Sequence, residues 1–226
     1  MSRTTSEEVF ERFCAQRGIG CRRIPEADTR TPDYELDCDT VTLVVEVKEV
    51  TPNEEERESE RLALERGVGK VVSHTPGDRV RRKIKSCSGQ IKARSRGILP
   101  SMLVVFDRGR VVGHVDAYNI RVAMYGLEQV HIAVPPIGPG SPYAVGMGYG
   151  PKRQMTPKHN TSISAIGALM MTGPNDILLY AYHNKFAHVP LAPRVLAPFG
   201  IQQFKLADDV PGIAAGWELL KVDEEP

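Results

Sequence analysis

The segment Val41–Val50, Val-Thr-Leu-Val-Val-Glu-Val-Lys-Glu-Val, constrains the fold more than any other, because its β-branched residues make it a strand. Alternation puts Leu43, Val45 and Val47 on one face and Glu46 and Lys48 on the other, about 7 Å apart at the usual rise per residue. An acid and an amine on a strand flanked by valines are costly to bury unless they pair or bind something. Residues 33–38 alternate as well, with Tyr34, Leu36 and Cys38 against Asp33, Glu35 and Asp37. Pro32 holds Thr31 extended and can turn Asp33 toward the face that carries Glu46. Two carboxylates meeting across neighbouring strands make a hard-oxygen site for Mg²⁺ or Mn²⁺. A lysine beside them can orient a water whose pKa the metal lowers, which is equipment for hydrolysing a phosphodiester. Plainer readings stay open for each residue. Glu46 and Lys48 can form a surface salt bridge on an edge strand, and Asp33 can simply begin a turn.

Around this strand the periodicity predicts a helix over 5–17, with the apolar stripe Val9, Phe10, Phe13 and Cys14 and a stop at Gly18. It predicts a short strand over 21–24 and an exposed, Glu/Arg-rich helix or flap over 51–69. A second core helix follows from Asp78, its expected cap, to about Ser95, with the stripe Val80, Ile84, Cys87 and Ile91. The continuous apolar run 102–106 reads as a buried strand. Beyond residue 107 the expectations are strands over 111–116, 129–134, 177–182 and 217–222. A short helix is expected over 162–171, capped by Asn160 or Thr161. Ten of the seventeen residues in 135–151 are Gly or Pro, which predicts a loop.

Charge is distributed unevenly although the whole chain is nearly neutral, at +1. Residues 1–66 carry 17 acids and 10 bases, residues 67–106 one acid and nine bases, and residues 107–226 ten of each. The basic block is concentrated between Arg79 and Arg96, the electrostatic footprint of phosphate binding or else a solvated helix face. No apolar run approaches the roughly 20 residues of a membrane helix, and no basic start precedes an apolar stretch as in a secretory signal. A cytoplasmic protein with no membrane partner is therefore expected. The four cysteines lack C-x-x-C spacing and are expected as reduced thiols, and the six histidines lack H-x-x-x-H spacing, which argues against a zinc enzyme.

With Pro32-Asp33, twelve intervening residues and Glu46-Val47-Lys48, the chain resembles the PD-(D/E)XK nuclease superfamily. The expected order of helix, three strands, helix and strand over residues 1–106 is similar to that family's restriction-endonuclease-like core. The resemblance implies an α/β fold with this core at 1–106 and a C-terminal α+β extension at 107–226 packed on it. It implies Asp33 and Glu46 as ligands of Mg²⁺ or Mn²⁺ and Lys48 as the residue that positions the nucleophile. Members closer to Holliday-junction resolvases carry a glutamate in the first helix, which Glu7 matches best, with Glu8 and Glu11 as competitors. Some branches place a glutamine in the second helix, where Gln90 stands. Arg79, Arg81, Arg82, Lys83, Lys85, Lys92 and Arg94 would then contact a nucleic-acid backbone, with DNA favoured, and a homodimer is a possible assembly. The alternatives are a catalytically silent protein of the same fold that binds nucleic acid or a protein partner, and an RNase.

Overall fold

The computed structural model describes residues 3–25, 31–68, 74–109, 113–135, 140–207 and 216–223. Helix α1 (Thr5–Arg17) leads into strands β1 (Gly20–Arg23), β2 (Tyr34–Cys38) and β3 (Val41–Val50). Helices α2 (Glu54–Arg66) and α3 (Asp78–Ser95) precede β4 (Ser101–Asp107), α4 (Ala117–Tyr125), β5 (Glu128–Ala133) and β6 (Tyr143–Tyr149). The chain closes with β7 (Ala165–Met171), β8 (Ile177–His183), the single turn α5 (Pro193–Leu196), β9 (Gln202–Leu206) and β10 (Trp217–Leu219).

Among the described residues eight strands form one mixed sheet in the order β1-β2-β3-β4-β7-β8-β9-β10, and β5 pairs with β6 alone. β1, β2 and β3 form an antiparallel meander; β3, β4 and β7 run parallel; β8 reverses direction. The parallel trio is buried on both faces, which explains its nearly unbroken apolar sequences. One face is covered by α1, through Val9, Phe10, Phe13 and Cys14 on Leu43, Val45, Val47, Val104 and Leu179. The other is covered by α3 and α4, through Val80, Ile84, Cys87, Ile91, Ile120 and Met124 on Leu103, Val105 and Ile166. Each such side chain contributes about 1.5–3 kcal/mol of burial, so the two stripes commit α1 and α3 to opposite sides of β3.

Local chemistry sets the helix ends. Thr4 caps α1 by accepting from the Glu7 N–H, while Glu7 reaches back to the Thr4 N–H, and Gly18 ends the helix at φ 68°. Gly77, at φ 69°, and not Asp78, occupies the cap of α3; its N–H donates to Asn119 Oδ1 at 2.7 Å, docking α3 onto α4. Asp78 is the first helical residue and pairs with Arg82 one turn on.

Several expectations change. Residues 165–171 form β7, not a helix. Their continuous apolar run satisfies a helix stripe and a doubly buried strand equally, and parallel pairing with β4 decides it. The strand expected over 111–116 is absent from residues 113–116, which bend into α4 because Asp107 gathers the N–H groups of Gly109, His114 and Val115. Residues 111 and 112 lie outside the described residues. The Gly/Pro-rich stretch 135–151 contains β6, and α4 and β9 were not expected at all. The exposed helix or flap over 51–69 is α2, in which only Glu56 and Ser59 are buried. No helix among the described residues is long and apolar enough to cross a membrane.

Candidate active site

Glu46 lies in the middle of β3 and is fully buried, on the face that α3 covers. Tyr34 pairs with Val45, so Asp33, just before β2, comes to stand opposite Glu46. Asp33 is held there because its Oδ2 accepts from the Val47 N–H at 2.8 Å. Lys48, two residues along the same face, forms an ion pair with Glu46 Oε1. Beyond Lys48 and the Gln90 side chain, neither oxygen of Glu46 has a hydrogen-bond partner among the described residues. The sequence spacing thus does bring Asp33, Glu46 and Lys48 together.

Electrostatics at this cluster are those of a site short of positive charge. Burial, and then the Asp33 carboxylate, pushes the Glu46 pKa up to about 7, against the pull of Lys48 and of the Gln90 side chain. Asp33 is also raised, first by burial and then by Glu7, with the Val47 N–H and Lys48 opposing. Burial disfavours the charge on Lys48, but Glu46 and Asp33 outweigh it and hold its pKa above the usual amine value. Two carboxylates that one lysine leaves incompletely neutralised fit a divalent cation bound through oxygen. Asp33 and Glu46 are the residues that would hold it. Among the described residues no group of three or more His, Cys, Asp or Glu side chains is arranged as a metal cage, so water or phosphate oxygens would have to complete the coordination.

Glu7 is buried close enough to raise Asp33, yet its carboxylate is occupied. Oε2 accepts from the Thr4 N–H at 2.6 Å and Oε1 from Arg23 at 2.9 Å. It therefore braces the N-terminus of α1 and Arg23 beside the site.

α3 contributes Lys83, Cys87 and Gln90, which share one helix face by their i, i+4, i+7 spacing. Burial and then Glu46 push the Cys87 thiol up to about 12. Lys83 is lowered by burial and then by Lys48, so it is half-buried beside the strand residues and not merely on the outer surface. Arg82, Lys85 and Lys92 are exposed along the helix. Arg79 is committed to Glu56, which it meets with NH2 at 2.6 and 2.7 Å, and Arg94 pairs with the buried Glu35. Arg81 departs from the expected basic face. It is 5% exposed and donates to the carbonyls of Pro76 at 2.8 Å and Val122 at 3.4 Å, so it ties α3 to α4 and cannot reach a phosphate.

Sequence reasoning missed the cluster of the buried Glu56 and His114 with the half-buried Arg79, in which His114 Nε2 lies 3.0 Å from Glu56 Oε1. The capping box Asn53-x-x-Glu56 was the available signal, and it places Glu56 at the turn that faces Arg79. Searches for similar proteins found no family model, no curated protein and no solved structure that matches the chain.

Proposed function

We propose that the chain is a metal-dependent nuclease of the PD-(D/E)XK type, acting on DNA, with its site at Asp33, Glu46 and Lys48. The observation that supports this best is the fully buried Glu46 carboxylate, which stands beside a second carboxylate and whose raised pKa Lys48 and Gln90 do not offset. The run of α1, β1, β2, β3, α3 and β4, with α2 as an addition, has the element order that such a core requires.

A divalent cation on Asp33 and Glu46 would polarise the scissile phosphate and acidify an attacking water. Asp33 is pre-positioned for this by the Val47 N–H. Lys48 offsets the charge of Glu46 and would orient the attacking water and stabilise the negative charge that grows on the phosphate. Lys83 adds a second cation on the α3 side. The exposed Arg82, Lys85 and Lys92 supply backbone contacts that carry no base specificity. A second copy is the partner that the resemblance implies for cutting both strands.

Incubation with supercoiled and linear DNA plus Mg²⁺ or Mn²⁺, beside Asp33→Ala and a chelator control, tests the reading. Cleavage is expected only with metal and only with Asp33 present. Undiminished cleavage by Asp33→Ala and Glu46→Ala overturns the assignment. The lack of a third ligand side chain among the described residues favours one alternative, a silent binding protein. That alternative predicts DNA binding without metal and without any effect of Lys48→Ala.

A further inference from the structure

The hairpin of β5 and β6 stands apart from the rest of the molecule. Its root is fixed: Tyr149 packs on Tyr125, Glu128 pairs with Arg121, and the Gly150 N–H donates to the Leu127 carbonyl. Gly126, at φ 97°, brings the two ends so close that a Cβ there would lie 2.6 Å from the Gly150 oxygen. Beyond that root, among the described residues, the two strands pair only with each other. Val130, Ile132, Val134, Tyr143 and Val145 are between 53% and 70% exposed. The register pairs Val130 with Met147 and Ile132 with Ala144, so Val130, Ile132, Ala144 and Met147 share one face, which Val134 extends. Val145 is the extra residue where the register shifts between His131 and Ile132.

Two features say what covers this arm. Residues 129–151 contain no Asp, Glu, Lys or Arg, in a chain that is 25% charged. A charged or nucleic-acid surface therefore finds no counter-charge along it. The eight-stranded sheet, in contrast, guards both of its edges with charge, Arg22 and Arg23 on β1 and Glu218 on β10. Edge charges of that kind block strand-to-strand association, and beyond Glu128 at its root the arm has none. A lone two-stranded hairpin is marginal in water, so an apolar one needs a cover. An uncharged, apolar surface of the same length exists on every other copy of this chain, and two-fold symmetry lets it meet itself residue for residue.

We propose that the β5–β6 arm is the self-association surface of this protein, with the Val130–Ile132–Val134 face packing on the same face of a second copy. The arm is placed for this whatever chemistry the Asp33–Glu46–Lys48 site performs.

Sedimentation equilibrium of the full chain over a wide concentration range tests it. The wild type is expected at twice the 25.0 kDa of one chain. Ile132→Lys, at an exposed position, is expected to shift the mass to that of the monomer with an unchanged far-UV circular dichroism spectrum. Ile98→Lys, equally exposed but far from the arm in sequence and fold, should leave the dimer intact. Amide exchange supplies a second readout that needs no substitution: protection of 129–133 and 143–149 should rise with wild-type concentration. A monomer at every concentration, exchange indifferent to concentration, or a dimer indifferent to Ile132→Lys overturns the proposal. A monomer would assign the arm to a foreign apolar partner.

Discussion

Glu46 and His183 should impose opposite pH dependences on stability, each hidden by the other in the wild type. The Glu46 pKa is raised from an ordinary 4.5 to about 7, by burial and then by Asp33. Between those values the folded state holds a proton that the unfolded state has released, so this group makes stability fall as pH rises. At about 1.36 kcal/mol per pH unit, the full effect is about 3 kcal/mol. His183 works the other way. It is buried on β8 and donates from Nε2 to Gln203 Oε1 at 3.0 Å, since the Gln203 amide nitrogen is already committed to the Pro193 carbonyl. Its Nδ1 has no hydrogen-bond partner among the described residues, and burial lowers its pKa from 6.5 to about 4. Between 4 and 6.5 the unfolded chain binds the extra proton, so this group makes stability rise with pH, again by about 3 kcal/mol in full. The two windows overlap from about pH 4.5 to 6.5 and the slopes there nearly cancel. Urea unfolding without divalent metal, at half-unit pH intervals, should show Glu46→Gln gaining stability with rising pH across that window and His183→Gln losing it. Slopes are the readout, so any packing cost of either substitution drops out. If Glu46→Gln keeps the wild-type slope, the burial and crowding of Glu46 are not as described.

Other consequences can be checked separately. Mg²⁺ should raise the thermal midpoint of the wild type at pH 8 but not that of Asp33→Asn, measured by scanning fluorimetry. Arg81→Ala should cost about 2 kcal/mol in denaturant unfolding, because it removes the donor to the half-buried Pro76 carbonyl and the buried tie from α3 to the Val122 carbonyl of α4. Lys85→Ala and Lys92→Ala should leave stability within about 0.5 kcal/mol, and each should reduce the salt slope of DNA binding by about 1. Gly77→Ala should destabilise by more than about 1 kcal/mol. Its φ of 69° already disfavours a side chain, and the new Cβ would stand 2.7 Å from the Ala123 nitrogen and 2.8 Å from the Asn119 oxygen.

The first half of the chain was legible because its signals are local and agree with one another. Gly18 and the stripe of Val9, Phe10 and Phe13 define α1. Val41–Val50 reads as a strand on composition alone, and the register of β2 against β3 brings Asp33 to Glu46 as the alternation required. The second half was less legible because its elements are decided by tertiary pairing. The run 165–171 becomes a strand only because β4 offers it a parallel edge. β6 forms in a Gly-rich stretch because its partner β5 is next to it in sequence and pairs with it along its whole length. At the site, the three residues on β2 and β3 could be named, whereas which cations of α3 are available could not. Helical spacing distinguishes faces, but only the position of α4 and of Glu56 and Glu35 shows that Arg81, Arg79 and Arg94 are already engaged.

The central place of β4 decides how the chain can be divided. Ser101 to Val105 are wholly buried, with β3 on one side and β7, from the second half of the sequence, on the other. A fragment ending near residue 107 would therefore keep every residue of the Asp33–Glu46–Lys48 cluster and yet present an open apolar strand to solvent. Such a fragment would self-associate or be lost to proteolysis before its chemistry could be assayed. The second half would be left without the edge on which β7 registers. Coexpressed as two separate pieces cut after Arg108, the halves should recombine through the parallel ladder of β4 and β7 and the docking of α3 on α4.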